Sequence, residues 1–310
     1  MNWTNLQNPV LNRSDSLRDP AVIQREKEWH IYYTRFSNDD WYRKENWSVA
    51  RIITRDWIHF EDDRDITPKG YASPGDLIQW HGRWILPYES YPIHPSGLFF
   101  SESPDCCTWS EPREFLAEVK QLPWNSYNRA IDPTLVVHGD SLYCFFTVSV
   151  RNPATDKRAN AIGLARTQDP QMVDWEILST DKPLLGPSEK YPDGVENLAI
   201  VPKEQDGAGW TMYYSAGLKN QRIARMDSRD LIHWSGSEPV PLEDQWWCSR
   251  VQGAPGLFRN EQGQNFMIIM GSDVDRKTRF GLAKEDSDGQ WTMLPCRERD
   301  EVEKTVDLPF

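Results

Sequence analysis

The chain has 310 residues and a formal net charge of −12, and its 38% hydrophobic content includes 15 Trp, 11 Tyr and 11 Phe. That acidic balance argues against a nucleic-acid partner, which needs basic surface for phosphate, and favours a neutral substrate over an anionic one. No apolar run approaches the roughly 20 residues that cross a bilayer, so no membrane partner is expected.

The first fifteen residues, MNWTNLQNPVLNRSD, show no basic segment followed by an apolar stretch. This points to a cytoplasmic protein, or to one whose leader has been removed. Five scattered cysteines, two of them adjacent at 106 and 107, predict reduced and mostly buried thiols rather than a disulfide or metal framework.

From residue 18 onward one unit recurs five times. Its first half is a polar mouth, an apolar run, a turn and an aromatic strand. It reads RDPAVIQREKEWHIYYT at 18, SPGDLIQWHGRWILPYE at 73 and IDPTLVVHGDSLYCFFT at 131. It returns as VENLAIVPKEQDGAGWTMYYS at 195 and GAPGLFRNEQGQNFMIIMG at 253. The last four turns carry the glycines that hairpins favour.

The second half runs small residue, Ser/Thr, Asp and then an aromatic. It appears as VARIITRDWIHF at 49, LFFSESPDCCTW at 98, IGLARTQDPQMVDW at 162, RIARMDSRDLIHW at 222 and FGLAKEDSDGQW at 280. TRDWIHF and SRDLIHW are nearly one peptide, 174 residues apart. Apolar residues alternate in these runs and none shows a helical period, so every segment reads as strand.

Each unit is therefore about four short strands. Aligned on Asp19, Ser73, Asp132, Glu196 and Ala254, the units follow one another at intervals of 54, 59, 64 and 58 residues. Successive four-stranded antiparallel sheets without intervening helices predict an all-β, five-bladed β-propeller forming one domain over 1–310. The blades fall roughly over 18–60, 72–116, 130–178, 194–236 and 251–294. Residues 296–310 read as a polar tail, in which KTVDL could close the ring on blade one.

In a propeller the first strand of each blade lines the axial channel, so Asp19, Asp132 and Glu196 should converge. Pro20 and Pro133 are expected to hold the preceding aspartates extended. Three like charges facing one channel repel, a conflict that proteins keep mainly at functional sites.

RDP in blade one, IDPT in blade three and VEN in blade four, behind the opening NPVLNRSDSLRDPAVI, resemble glycoside hydrolase family 43 over essentially the whole chain. The resemblance implies a glycosidase acting on an oligosaccharide. Asp19 would be its general base, Asp132 would raise and orient the acid, and Glu196 would be the general acid. Inverting hydrolysis needs such an acid and base about 6.5–9.5 Å apart, with water between base and sugar.

Asn197–Leu198 stands where the family has a small residue and Pro after the acid. Gln252 stands where arabinan-cutting members use a histidine near a metal. Neither a cofactor nor a metal is therefore expected. The strings NDPNG and EC of the related retaining families 32 and 68 are absent.

Arg129 and Arg250 are candidate donors to sugar hydroxyls, and Trp80, Trp124 and Tyr127 are candidate stacking platforms. His94, in YPIHPSG, is placed in a loop that could reach the pocket, and DQWWCSR at 244–250 as a wall or lid. Trp57, Trp109, Trp175, Trp234 and Trp291 recur with the repeat and are assigned to packing between blades. The expected activity is exo-removal of terminal α-L-arabinofuranosyl or β-D-xylosyl groups. Alternatives are a family 117-like anhydrogalactosidase, a family 130-like phosphorylase, and a sugar-binding propeller without catalysis.

Overall fold

The computed structural model describes residues 3–37, 40–203 and 209–304. Five antiparallel sheets follow one another along the chain, each ordered from the axis outward as the sequence runs. Blade one is built from Ser16–Arg25, Glu28–Phe36, Trp47–Thr54 and Phe60–Asp65. Blades three, four and five begin with Ala130–His138, Val195–Pro202 and Val251–Arg259. Blade two departs from the four-strand pattern. Its innermost strand is split into Tyr71–Ala72 and Ile78–Trp80, both paired with Arg83–Ser90.

Alternation along each strand sends neighbouring side chains to opposite faces, so every blade feeds two apolar layers. Ile31 and Tyr33 pack toward blade five with Phe266 and Ile268, whereas Tyr32 between them packs toward blade two with Leu86 and Tyr88. The recurring tryptophans fill these layers. Trp57 lies between blades five and one, Trp109 between one and two, Trp175 between two and three, Trp234 between three and four, and Trp291 between four and five.

The nearly duplicated peptides make the same turn. Asp56 Oδ1 accepts the N–H groups of Ile58 and His59 at 2.9 and 2.8 Å, and Thr54 Oγ1 accepts that of Trp57 at 2.8 Å. In blade four Asp230 accepts from Ile232 and His233 at the same distances, and Ser228 accepts from Leu231. Short side chains thus satisfy backbone donors that a tight turn leaves unpaired, which explains why Ser/Thr-x-Asp repeats.

The innermost strands of blades one, three, four and five share an irregularity. Pairing slips by one residue between Arg18 and Ala21, Ile131 and Thr134, Glu196 and Leu198, and Gly253 and Gly256. The extra residue is in the left-handed conformation at Asp19, Asp132, Asn197 and Ala254, with φ between 45° and 51°, and Ser73 of blade two matches at 50°. A β-bulge opens here, and the prolines after Asp19, Ser73, Asp132 and Ala254 have no N–H to lose from the ladder.

Two expectations are corrected by this geometry. Asp19 and Asp132 are left-handed rather than extended. The blade-four member of the column is Asn197, with Glu196 one residue before it, beside Arg18 and Ile131 in the repeat. A non-glycine residue in this conformation costs roughly 1–2 kcal/mol. Five such residues around one axis mark the place where the fold accepts strain.

The ring is closed by the N-terminal segment. Asn8 bridges to Cys296, its side chain donates to Leu282 and Leu294 carbonyls, and it accepts the Leu282 N–H. The expected tail contains a short helix, Arg299–Glu303, with Val302 fully buried, while KTVDL after its Lys304 lies outside the described residues.

Candidate active site

The bulges deliver Asp19, Asp132 and Asn197 to one end of the channel. There, with Arg18, Trp41, Trp47, Glu89, Tyr91, Arg129 and Glu196, they line an open pocket of about 410 Å³. A second space of about 330 Å³ lies below, lined by Pro20, Pro74, Pro133, Leu198 and Pro255 of the same column. The three predicted carboxylates therefore do converge, from three blades.

Asp19 is held by neutral donors. Its Oδ2 accepts from Thr34 Oγ1 at 2.8 Å and Ser73 Oγ at 3.3 Å, and its Oδ1 from Asn197 Nδ2 at 3.4 Å. The same Asn197 amide donates to Asp132 Oδ1 at 3.2 Å. Asn197 thus ties together the two aspartates that the sequence casts as base and modulator.

A fourth carboxyl group, Glu89, is almost fully buried at 2% exposure and accepts the backbone N–H of Asp132 at 2.9 Å. Its place in the repeat explains this bond. Glu89 lies opposite Ala72, as Thr34 lies opposite Arg18 and Ser215 opposite Glu196. Thr34 accepts the N–H of Ser73, and Ser215 that of Ala254, each belonging to the next blade's column residue. Glu89 does for Asp132 what those hydroxyls do elsewhere, with a titratable group in their place.

Burial pushes the Glu89 carboxyl up to about 8; Arg129 opposes the shift, while Asp19 and Glu196 add to it. Asp132 is driven well above the usual carboxylate range by burial and then by Glu89, Glu196 and Asp19. Near neutral pH the Glu89 carboxyl therefore holds a proton, and Asp132 is shifted in the same direction.

Glu196 accepts from Asn160 Nδ2 on one oxygen and from Gln221 Nε2, at 2.5 Å, on the other. Each carboxyl oxygen keeps a further lone pair, so the proton of the acid form has somewhere to sit. The Glu196 pKa is raised, first by burial and also by Asp19, against the pull of Arg129, Arg18 and the Asn160 hydrogen bond. The raising charge comes from Asp19, whereas the sequence assigns that work to Asp132. Gly253 makes room for Gln221, because a Cβ there would stand 2.3 Å from Gln221 Oε1.

Of the secondary candidates, Arg129 lines the pocket and its Nε is buried without a partner. Tyr127 stands at 39% exposure with the Arg158 guanidinium 5.4 Å above its ring. Trp80 and Trp124 belong to packing between blades two and three, where their indole N–H groups donate to the carbonyls of Asp169 and Ser179. Arg250 and His94 lie outside the pocket lining, and Tyr91 of the His94 loop enters it instead.

In DQWWCSR, Trp247 is fully buried between blades four and five, so this segment is packing and not a lid. The pocket's exposed indole is Trp41, from the polar stretch between the second and third strands of blade one. It stands against Phe36 and Trp47 at 4.8 and 5.1 Å.

The metal site that the family resemblance attaches to arabinan-cutting members does not fit the residues present. Gln252 turns its amide to the Glu243 carbonyl and the Asp244 carboxylate, both at 3.1 Å. Among the described residues no group of three His, Cys, Asp or Glu is arranged to hold an ion.

No family model matches this sequence, and no curated protein matches it. Solved structures do match in shape. A thermostable family-43 glycoside hydrolase superposes with a TM-score of 0.68 at 12% identity, over 95% of this chain and 97% of that one. An exo-1,5-α-L-arabinanase from a bovine ruminal metagenomic library gives 0.67 at 14% identity, over 93% and 99%. The catalytic domain of a Coprinopsis cinerea GH62 α-L-arabinofuranosidase gives 0.64 at 15% identity, over 87% and 90%. The chain therefore has the five-bladed propeller fold of these glycoside hydrolases.

Proposed function

We propose that this protein is a glycoside hydrolase that removes terminal pentose units, α-L-arabinofuranosyl or β-D-xylosyl, from oligosaccharides with inversion at the anomeric carbon. The observation that carries this reading is the convergence of Asp19, Asp132 and Glu196 on one open pocket of such a propeller. Glu196, raised by burial, is the general acid that protonates the leaving oxygen. Asp19, fixed by Thr34, Ser73 and Asn197, is the base that activates water. Asp132 holds position between Glu89 and Asn197.

Trp41, with Arg18 over its ring, gives the pocket an apolar edge beside the sugar. The reaction needs no metal in this proposal, and exhaustive chelation leaves it intact. The test is a panel of aryl pentosides and pentose-capped oligosaccharides, assayed with and without phosphate, with NMR of the first sugar released. An inverted anomer from a pentoside supports the proposal. A retained anomer overturns Asp19 as base, and cleavage only in phosphate overturns hydrolysis.

A further inference from the structure

Two guanidinium groups line the upper pocket and a third stands beside it, each near the pocket's carboxyl groups but in ion-pair contact with none of them. Arg18 and Arg129 line it. Arg158 starts the third strand of blade three, Arg158–Thr167, close enough to Arg129 and Glu196 for their charges to act on it. Among the described residues none of the three makes an ion pair. Arg158 donates only to Ser149 Oγ, at 3.2 and 3.0 Å, and Arg129 Nε is buried with nothing to bond.

Most arginines elsewhere have a carboxylate, although among the described residues Arg25, over the Trp84 ring, and Arg297, on the Pro9 carbonyl, make no ion pair either. Arg35 pairs with Asp63 and Asp65, Arg51 with Asp62, Arg83 with Glu102, and Arg279 with Asp273. The chain carries 47 Asp and Glu against 35 Lys and Arg, so carboxylates are not scarce. Four carboxyl groups sit in this very pocket, yet hydroxyls, side-chain amides and one backbone N–H satisfy them instead.

Two of the arginines rest on aromatic faces, Arg18 5.1 Å over Trp41 and Arg158 5.4 Å over Tyr127. A guanidinium over a ring keeps its N–H groups at its edge. Arg158 spends its Nε–Nη2 side on Ser149, while its Nη1 end makes no hydrogen bond among the described residues. Keeping like charges this close costs repulsion, and the burial that raises Glu89 and Asp132 lessens the negative charge facing them.

We propose that the saccharide bound in this pocket carries a carboxylate, on a uronate unit beside the terminal pentose, which Arg129, Arg158 and Arg18 take between them. The sugar part rests on the glycosidase reading above, but the test reads binding and not turnover. The full chain is titrated calorimetrically with D-glucuronate against D-glucose, D-galacturonate against D-galactose, and inorganic phosphate alone.

Charge-assisted hydrogen bonds should make at least one acid bind about tenfold or more tightly than its neutral parent, with a preference that weakens as salt rises. Arg129→Met and Arg158→Met, checked for folding by circular dichroism, should each reduce that preference severalfold without weakening the neutral sugar to match. Neutral sugars binding as well as acids, no response to either acid, or preferences unmoved in both variants would overturn it. So would phosphate binding with sugar acids failing to compete, which would give the arginines to a free anion. Acid preference with no turnover of any glycoside upholds the carboxylate and sinks the hydrolase reading alone.

Discussion

Glu89 Oε2 accepts the backbone N–H of Asp132 at 2.9 Å, across the boundary between blades two and three. The bond fixes the backbone at the bulge that presents Asp132, and burial holds the Glu89 carboxyl up to about 8. Its folded pKa therefore lies above its unfolded one, so folding takes up a proton between roughly 4.5 and 8. The stability linked to that proton is complete at the acid end of this window and is lost as pH rises through it.

Glu89→Gln keeps an acceptor for the Asp132 N–H but cannot titrate. The wild-type melting temperature should fall between pH 5 and pH 8, and the variant should fall less. Asp132 and Glu196 keep part of the slope, since both are also raised. Parallel curves for the two proteins would show that Glu89 does not bind this proton. Glu89→Ala should lose about 1–3 kcal/mol at any pH in the window, the cost of a buried donor left unpaired.

Asn197 offers a separate test, because its backbone and side chain make opposite demands. Its φ of 48° favours glycine, while its amide bridges Asp19 and Asp132. Asn197→Gly should stay within about 1 kcal/mol of wild-type stability, since relief of strain offsets two modest hydrogen bonds. Turnover should drop about tenfold or more as the base loses its fixed orientation. Full activity in a normally folded variant would show that the bridge positions nothing.

Gln221 stabilises the charged form of Glu196 by donating to it. Gln221→Met keeps the volume and removes the donor, so the Glu196 pKa should rise further. The alkaline limb of the kcat/KM profile, which reports loss of the acid's proton, should move to higher pH. A limb that stays, or moves down, would separate Glu196 from that ionisation.

Much of this was legible before any coordinates, and the exceptions have physical causes. The repeat exposed the five blades because each must satisfy the same packing and turn constraints. Alignment within blade four slipped by one because Glu196, a carboxylate, looked like the counterpart of Asp19. Only the backbone shows that the bulge falls on Asn197.

Glu89 was in plain view. The quoted first halves end at Thr34, Glu89, Thr147, Ser215 and Gly271, and Glu89 is the one charged member of that column. Trp80 and Trp124 misled because an indole at a strand end packs and finds a carbonyl as readily as it faces a sugar. Trp41 was hidden in a polar loop. Asn160 and Gln221 belong to no motif and are recognisable only by what they touch. Net charge spoke for a neutral substrate, yet it averages over the surface and is blind to three arginines gathered at one pocket.

The central claim is that Glu196 delivers a proton to the leaving oxygen while Asp19 activates water. The most direct measurement compares Glu196→Ala and Asp19→Ala on two substrates of one glycoside, a natural oligosaccharide and a dinitrophenyl derivative whose leaving group needs no proton. General acid–base assistance is worth roughly 10²–10⁴-fold, so the contrast is large. The account predicts that Glu196→Ala loses the oligosaccharide activity but keeps much of the dinitrophenyl activity, and that Asp19→Ala loses both alike. Equal loss on both substrates in a folded Glu196→Ala protein, or full activity in either variant, would contradict it.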